Sequence, residues 1–218
     1  VSIYLWEKYY CRRVIMTAED AKKQYYELLD KIIKRDGVKE LAAYLERHGF
    51  FKAPASTKFH LCSEGGLLIH SVGVAKTALK IKPVLLPSYP DESVILCCLF
   101  HDAHKVTDGF GQVTYNKNNG ATKDQQPYFW NKNQMAFSGA HKSLLLINKF
   151  VDLTREEMQA IAYHDGPYVP SFEDIKGNVY PLTHLIHFAD LWSTWVDERG
   201  LGAGFDAQKF LDDKETLF

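Results

Sequence analysis

Residues 94–105 read VILCCLFHDAHK, and the run 94–100 constrains the fold more than any other stretch. Seven consecutive apolar residues leave a helix no polar face, and a helix that is apolar all round belongs at the centre of a fold, covered on several sides. Such a helix carries His101 and Asp102 into the interior, with His104 and Lys105 just behind them. A carboxylate buried without a partner costs several kcal/mol or gives up its charge. Other segments must therefore bring Asp102 its partners.

The rest of the chain offers helices to surround that run. From Thr17 to Arg35, Ala21, Tyr25, Leu28, Leu29 and Ile32 recur at helical spacing behind a cap formed by Thr17 and Asp20, and Asp36-Gly37 closes the segment. Leu41, Ala42 and Leu45 mark a second helix ending at Gly49. After an irregular stretch, Gly65-Gly66 introduces a third, with Leu68, Val72, Ala75 and Leu79 on one side and His70 within it. Asp91 is expected to cap the helix that leads to His101. Residues 106–134, rich in Gly, Asn, Gln and aromatics, read as a loop over a site, with a short hairpin expected at 113–115. Helices resume at 140–151, at 154–164 behind the capping box Thr154-Arg155-Glu156-Glu157, and at 182–198. Strands are nearly absent, so the predicted class is all-α, a helical bundle.

A chain of 218 residues with 46% hydrophobic content fills one sizeable core but not two. The expected organisation is an appendage at 1–16, N-terminal helices packed on the core at 17–58, a main domain at 59–195 and a C-terminal extension at 196–218. With 26 basic against 27 acidic residues, the charge favours neither a long nucleic-acid track nor an anionic membrane surface. Cys11, Cys62, Cys97 and Cys98 form no CxxC pair, and Cys97 and Cys98 read as core packing. Neither a signal-peptide core nor an apolar span of about 18 residues is present. The expectation is a cytoplasmic protein with no membrane association.

His70, His101, Asp102, His141, His164 and Asp190 each lie within or at the end of a predicted helix with an apolar face, which would direct all six into one core. Four imidazoles and two carboxylates suit one or two divalent transition-metal ions, Mn, Fe, Co, Ni or Zn, with Mg as a harder alternative. Neighbours on a helix point about 100° apart, so Asp102 can lie between two ions while His101 serves one. His60 and His104 are read as facing substrate, and His184 and His187 either as helix-surface groups or as groups orienting a ligand. Trp130, with Tyr115, Tyr128 and Phe129, either stacks on a base or pins the loop.

The order His, His-Asp, Asp in GGLLIHSVGVA, LFHDAHK and IHFADLWST resembles the HD superfamily of metal-dependent phosphohydrolases, and the added His141 and His164 resemble its two-metal branch. The stretch FHLCSEGGLLIHSVGVA at 59–75 is similar, in its GGLLxH core, to the HD domain of bacterial 3′ to 5′ exoribonucleases of the YhaM type. The likeness spans roughly residues 59–195. It implies an HD-domain helical bundle with a metal site in its core, a first ion on His70, His101, Asp102 and Asp190, and a second, bridged by Asp102, on His141 and His164. Lys105 matches the family lysine that approaches the substrate phosphate. No nucleic-acid-binding OB domain of the kind those exoribonucleases carry is expected in these 218 residues, so the expected substrate is a small phosphorylated compound, a nucleotide, rather than nucleic acid.

The resemblance implies cleavage of a phosphoester or phosphoanhydride of a nucleotide, or of a short nucleic-acid 3′ end, by a metal-activated hydroxide. A divalent ion lowers the pKa of bound water from 15.7 toward roughly 7. Asp102 would bridge the ions, Lys105 and His104 would offset charge building on the phosphoryl oxygens, and His60, Lys105 and Trp130 would bind substrate. The same ligand order is that of HD-fold di-iron oxygenases such as the inositol oxygenases, a reading that oxygen-dependent turnover would identify. A nucleotide-binding regulator with a degenerate site is the third reading, and failure to bind any divalent ion would favour it.

Overall fold

Thr17 opens the first helix as the sequence predicts, its hydroxyl accepting the Asp20 backbone N–H at 3.1 Å. The computed structural model describes residues 16–120 and 126–198. Residues 1–15 of the expected appendage and residues 199–218 of the expected extension lie outside them. Seven α-helices are present among the described residues: α1 (Ala18–Asp30), α2 (Val38–Arg47), α3 (Gly66–Leu85), α4 (Asp91–Phe100), α5 (Gly139–Ile147), α6 (Arg155–Ala162) and α7 (Pro181–Trp192). A two-stranded ribbon, β1 (Tyr115–Lys117) and β2 (Tyr128–Trp130), is the one sheet among them. The all-α class is what the helical spacing implies.

Helix α4 occupies the centre, as its composition requires. Every residue from Ser93 to Phe100 is buried, including Cys97 and Cys98, and the helix packs against α3, α6 and α7. Helix α3 lies between α1, α4 and α7. Its start depends on Gly65 and Gly66: Gly65 has φ +81°, and a Cβ on Gly66 would fall 2.0 Å from the Leu61 carbonyl oxygen. Only glycine lets the irregular 50–64 segment fold back this closely onto a helix.

Several local expectations shift. Asp91 does not cap α4; Pro90 holds the cap position, and the Asp91 carboxylate instead pairs with the Lys82 ammonium at 2.8 Å. Helix α1 ends at Asp30, short of Arg35, and the chain continues in i to i−3 turns through Ile32 and Arg35. Arg35 is drawn away from a helical path because its guanidinium donates to both oxygens of Glu157, at 2.6 and 2.8 Å, and to the Asp152 carbonyl at 2.7 Å. The hairpin falls later than 113–115: Tyr115 pairs with Trp130, while Val113 forms an isolated bridge with Thr107. Asp108 causes this, since its carboxylate accepts the N–H groups of Phe110, Gln112 and Met135 at 2.8, 3.0 and 3.1 Å. That clasp consumes residues 110–112 in a turn and ties the two ends of the loop together.

At the other end of the molecule α7 passes directly into a π-helical turn, Ser193–Glu198. The last helical stretch therefore runs beyond residue 195, where the main domain was expected to end. No helix among the described residues is long and apolar enough to cross a membrane.

The Arg35–Glu157 pair joins the first turn of α6 to the segment after α1, and the Glu157 side chain is fully buried. Glu157 also completes the Thr154 capping box. Burial alone would raise its pKa, but Arg35 outweighs burial and holds the carboxyl below its ordinary value of 4.5. A depressed carboxylate contributes stability above that ordinary value and loses it as pH falls through the folded-state pKa. Glu157→Gln retains the cap geometry and loses the charge, so it should lower unfolding free energy by about 2 kcal/mol at neutral pH. In urea titrations the difference from the parent should shrink as the pH is brought below 4.5.

Candidate metal centre

The site forms where two helices end. His101 is the residue after α4, and its Nδ1–H donates to the Cys98 carbonyl at 2.8 Å. His164 follows α6, and its Nδ1–H donates to the Ile161 carbonyl at 2.9 Å. Carbonyls in the last turn of a helix lack intrahelical partners, and each histidine here satisfies one belonging to its own helix. A carbonyl can only accept, so both rings carry hydrogen on Nδ1 and leave the Nε2 lone pair directed beyond the helix end.

His70, within α3, completes the set. Its Nε2 lies 3.2 Å from His101 Nε2, 3.2 Å from Asp190 Oδ1 on α7 and 3.5 Å from Asp102 Oδ2. Asp102 divides its oxygens: Oδ2 faces His70 and His101, the latter at 3.3 Å, while Oδ1 lies 3.7 Å from His164 Nε2. Asp102 precedes the 3₁₀ turn Ala103–Lys105, in which residues three apart eclipse. That places the Lys105 ammonium 2.5 Å from Asp102 Oδ2.

The electrostatics favour a cation. Burial opposes ionisation of Asp102, but Lys105 and His101 outweigh it and hold its pKa well below the carboxylate range. Asp190 is likewise held down, chiefly by His70 against the cost of burial. Burial also opposes charge on His70, yet Glu198, Asp102 and Asp190 raise its pKa well above the imidazole range. With the imidazoles neutral, as ligands must be, Asp102, Asp190 and Glu198 against the Lys105 ammonium leave an excess of two negative charges, at the ends of two helix dipoles that are themselves negative.

These donors fall into overlapping groups whose ligand atoms lie within 4.8 Å of one another: His70, His101 and Asp190; His101, Asp102 and His164; and His164, Asp165 and Asp190. Such groups can hold a metal ion. No family model, curated protein or solved structure matches this chain. The reading of the site therefore rests on its own geometry.

Five of the six expected ligands meet here: His70, His101, Asp102, His164 and Asp190. His141 does not join these groups. It is three residues after the α5 cap, and its Nδ1 lies 2.5 Å from the Ser138 hydroxyl that caps the helix, with the ring edge-on to Tyr163. The expected second ion on His141 and His164 thus lacks His141 in this arrangement.

His104 is buried against Ser143, whose hydroxyl accepts the His104 backbone N–H and lies 3.0 Å from Nδ1. The same Nδ1 lies 3.7 Å from Asp102 Oδ1. Burial, aided by Lys105 and His164, brings the His104 pKa down to about 3 against the pull of Asp102. Gly139 touches the ring edge, where a Cβ would fall 2.4 Å from Nε2. Trp130 lies nearly parallel to His104, 6° between planes at 6.4 Å, and is 49% exposed. His187 donates from Nδ1 to the His164 carbonyl at 2.8 Å and so orients the chain behind a candidate ligand, whereas His184 is exposed beside Phe188.

Two acids at the site escaped the sequence reading. Asp165 adjoins His164 at 3.8 Å, a neighbour pair of the same kind as His101-Asp102 and open to detection for that reason. Glu198 carried no local signal.

Adding a divalent transition-metal ion at about 100 times its dissociation constant should stabilise the fold by about 2.7 kcal/mol, seen as a chelator-reversible rise in Tm. His101→Ala and Asp190→Ala should remove the rise. His141→Ala should leave it in place; its loss would restore His141 to the ligand set.

Proposed function

We propose that this protein is a metal-dependent phosphohydrolase of the HD type, acting on a phosphoester or phosphoanhydride of a small phosphorylated compound, most simply a nucleotide. The observation that carries the reading is the convergence of acceptor-only atoms. Three Nε2 lone pairs and two carboxylates meet with Lys105 as the one ammonium among them, and His70, His101, Asp102 and Asp190 would hold a single ion. When bound, a divalent ion lowers the pKa of coordinated water and polarises a phosphoryl oxygen.

The surrounding residues suit a phosphate in particular. The cluster opens into a cavity of about 350 Å³ lined in part by His60, Lys105, His104, Trp130 and Tyr168, at the small end of the range for ligand sites. Lys105 is a half-buried cation whose pKa rises because Asp102 and Tyr115 outweigh desolvation, so it stays charged where a phosphoryl oxygen would enter. His104, buried and kept neutral by its lowered pKa, lines the same cavity. A fixed ammonium beside a neutral imidazole suits an anion, since such a cation stabilises charge developing in phosphoryl transfer. Trp130, half exposed at the rim, offers a face to a planar group beyond the phosphate.

Phosphate release should be measured without oxygen from mono-, di- and triphosphates, cyclic nucleotides and short oligonucleotides, with Mn, Fe, Co, Ni, Zn or Mg added in turn. Hydrolysis of at least one class is expected, abolished by Asp102→Ala and lowered in kcat roughly 100- to 1000-fold by Lys105→Ala. Silence across the panel with metal demonstrably bound would overturn the proposal.

A further inference from the structure

His101 and His164 obtain their tautomers from spare carbonyls at the ends of their own helices. His70 has no such resource, because it sits inside α3, where the backbone carbonyls are engaged in the helix. Its Nδ1–H donates instead to Glu198 Oε1 at 2.7 Å. The second oxygen, Oε2, accepts the Nδ1–H of His60. Glu198 is almost wholly buried, its side chain 7% exposed.

The backbone is unusual on both sides of this contact. Asp190 and Glu198 lie in one continuous helical stretch, and in α geometry eight residues would set them about 80° apart around the axis. A π turn advances less per residue than an α turn, so Ser193–Glu198 brings Glu198 back toward the face that bears Asp190. Ser193 Oγ, 3.4 Å from Thr77 Oγ1, holds that turn against α3. On the other side, Leu61 adopts φ +43°, left-handed for a non-glycine residue, immediately after His60. Backbone departures of this kind concentrate where a side chain must be aimed.

We infer that Glu198 is a positioning residue for the metal centre, fixing the tautomer and ring plane of His70 so that Nε2 presents its lone pair to the site, with His60 holding Glu198 in turn. This inference rests on the metal reading given above but not on the reaction assigned to it. A carboxylate behind a ligating imidazole also makes that imidazole a stronger donor. Each Glu198 oxygen is engaged by an imidazole N–H, one from His70 and one from His60, so the group serves as an acceptor to both rings.

The test uses the full chain, stripped with chelator, and follows Co(II) affinity by competition with a chromophoric chelator together with the visible Co(II) spectrum. Glu198→Ala should weaken binding roughly 10- to 100-fold and alter the spectrum, with circular dichroism and the metal-free Tm nearly unchanged. Glu198→Gln keeps an oxygen for the His70 N–H and should recover part of the affinity, and it carries the test if the alanine variant folds poorly. His60→Ala should cause a smaller loss. Unchanged affinity and spectrum in both Glu198 variants would overturn the inference. So would loss of one whole ion equivalent in both Glu198→Ala and His60→Ala with the remaining affinity intact, since His60, His70 and Glu198 would then be a ligand set of their own. Parent protein that binds no Co(II) would defeat the metal reading itself, whereas a silent hydrolysis panel bears on the proposed reaction alone.

Discussion

Asp102 keeps its charge in the interior because Lys105, His101 and His70 stand around it, and the packing of three helices follows from bringing those groups there. Helix α4 has to be central because it is apolar on all sides, and its end has to be central because Asp102 is attached to it. Helix α3 then lies along α4 and supplies His70, and α7 lies along α3 and supplies Asp190. The same contacts that bury the apolar run therefore assemble the polar site. Core and site are one arrangement viewed from two ends.

The local chemistry of the cluster is repetitive in a useful way. Two imidazoles are fixed by main-chain carbonyls and one by a carboxylate, and in each case the hydrogen is held on the nitrogen away from the centre. What remains at the centre is nearly all acceptor. The arrangement is unfavourable by itself and becomes favourable around a cation, which is why His70 is so readily protonated in the cluster as it stands. Lys105 relieves part of the repulsion from one side and leaves the cavity side open.

Most of what was legible in the sequence is short-range. The Thr17 and Thr154 caps, the burial of 94–100 and the adjacency of His101 and Asp102 are set by residues a few positions apart, and hydrophobic spacing places His70, His164 and Asp190 on inward faces. His141 has the same inward spacing, but Ser138 sits three residues before it, and a hydroxyl already at the helix cap captures the ring. That competition is local and could have been weighed. The early end of α1 could not, because it depends on Glu157, more than a hundred residues away in the chain. Glu198 was hidden for a different reason: its place follows from a change in helical winding after Trp192, which periodicity analysis at a fixed 3.6 residues per turn does not register.

Because His101 and His164 are tied to carbonyls in the final turns of α4 and α6, the state of those turns and the readiness of the rings are a single equilibrium. Fraying of either helix end frees its imidazole to change tautomer and turn its lone pair elsewhere, and a cation gripped by both rings would hold both turns closed. Local opening at two helix ends, usually the least protected parts of a helical domain, would in this fold be coupled to occupancy of its centre by an ion. Amide hydrogen exchange near residues 101 and 164 would then gauge how firmly an ion is held there.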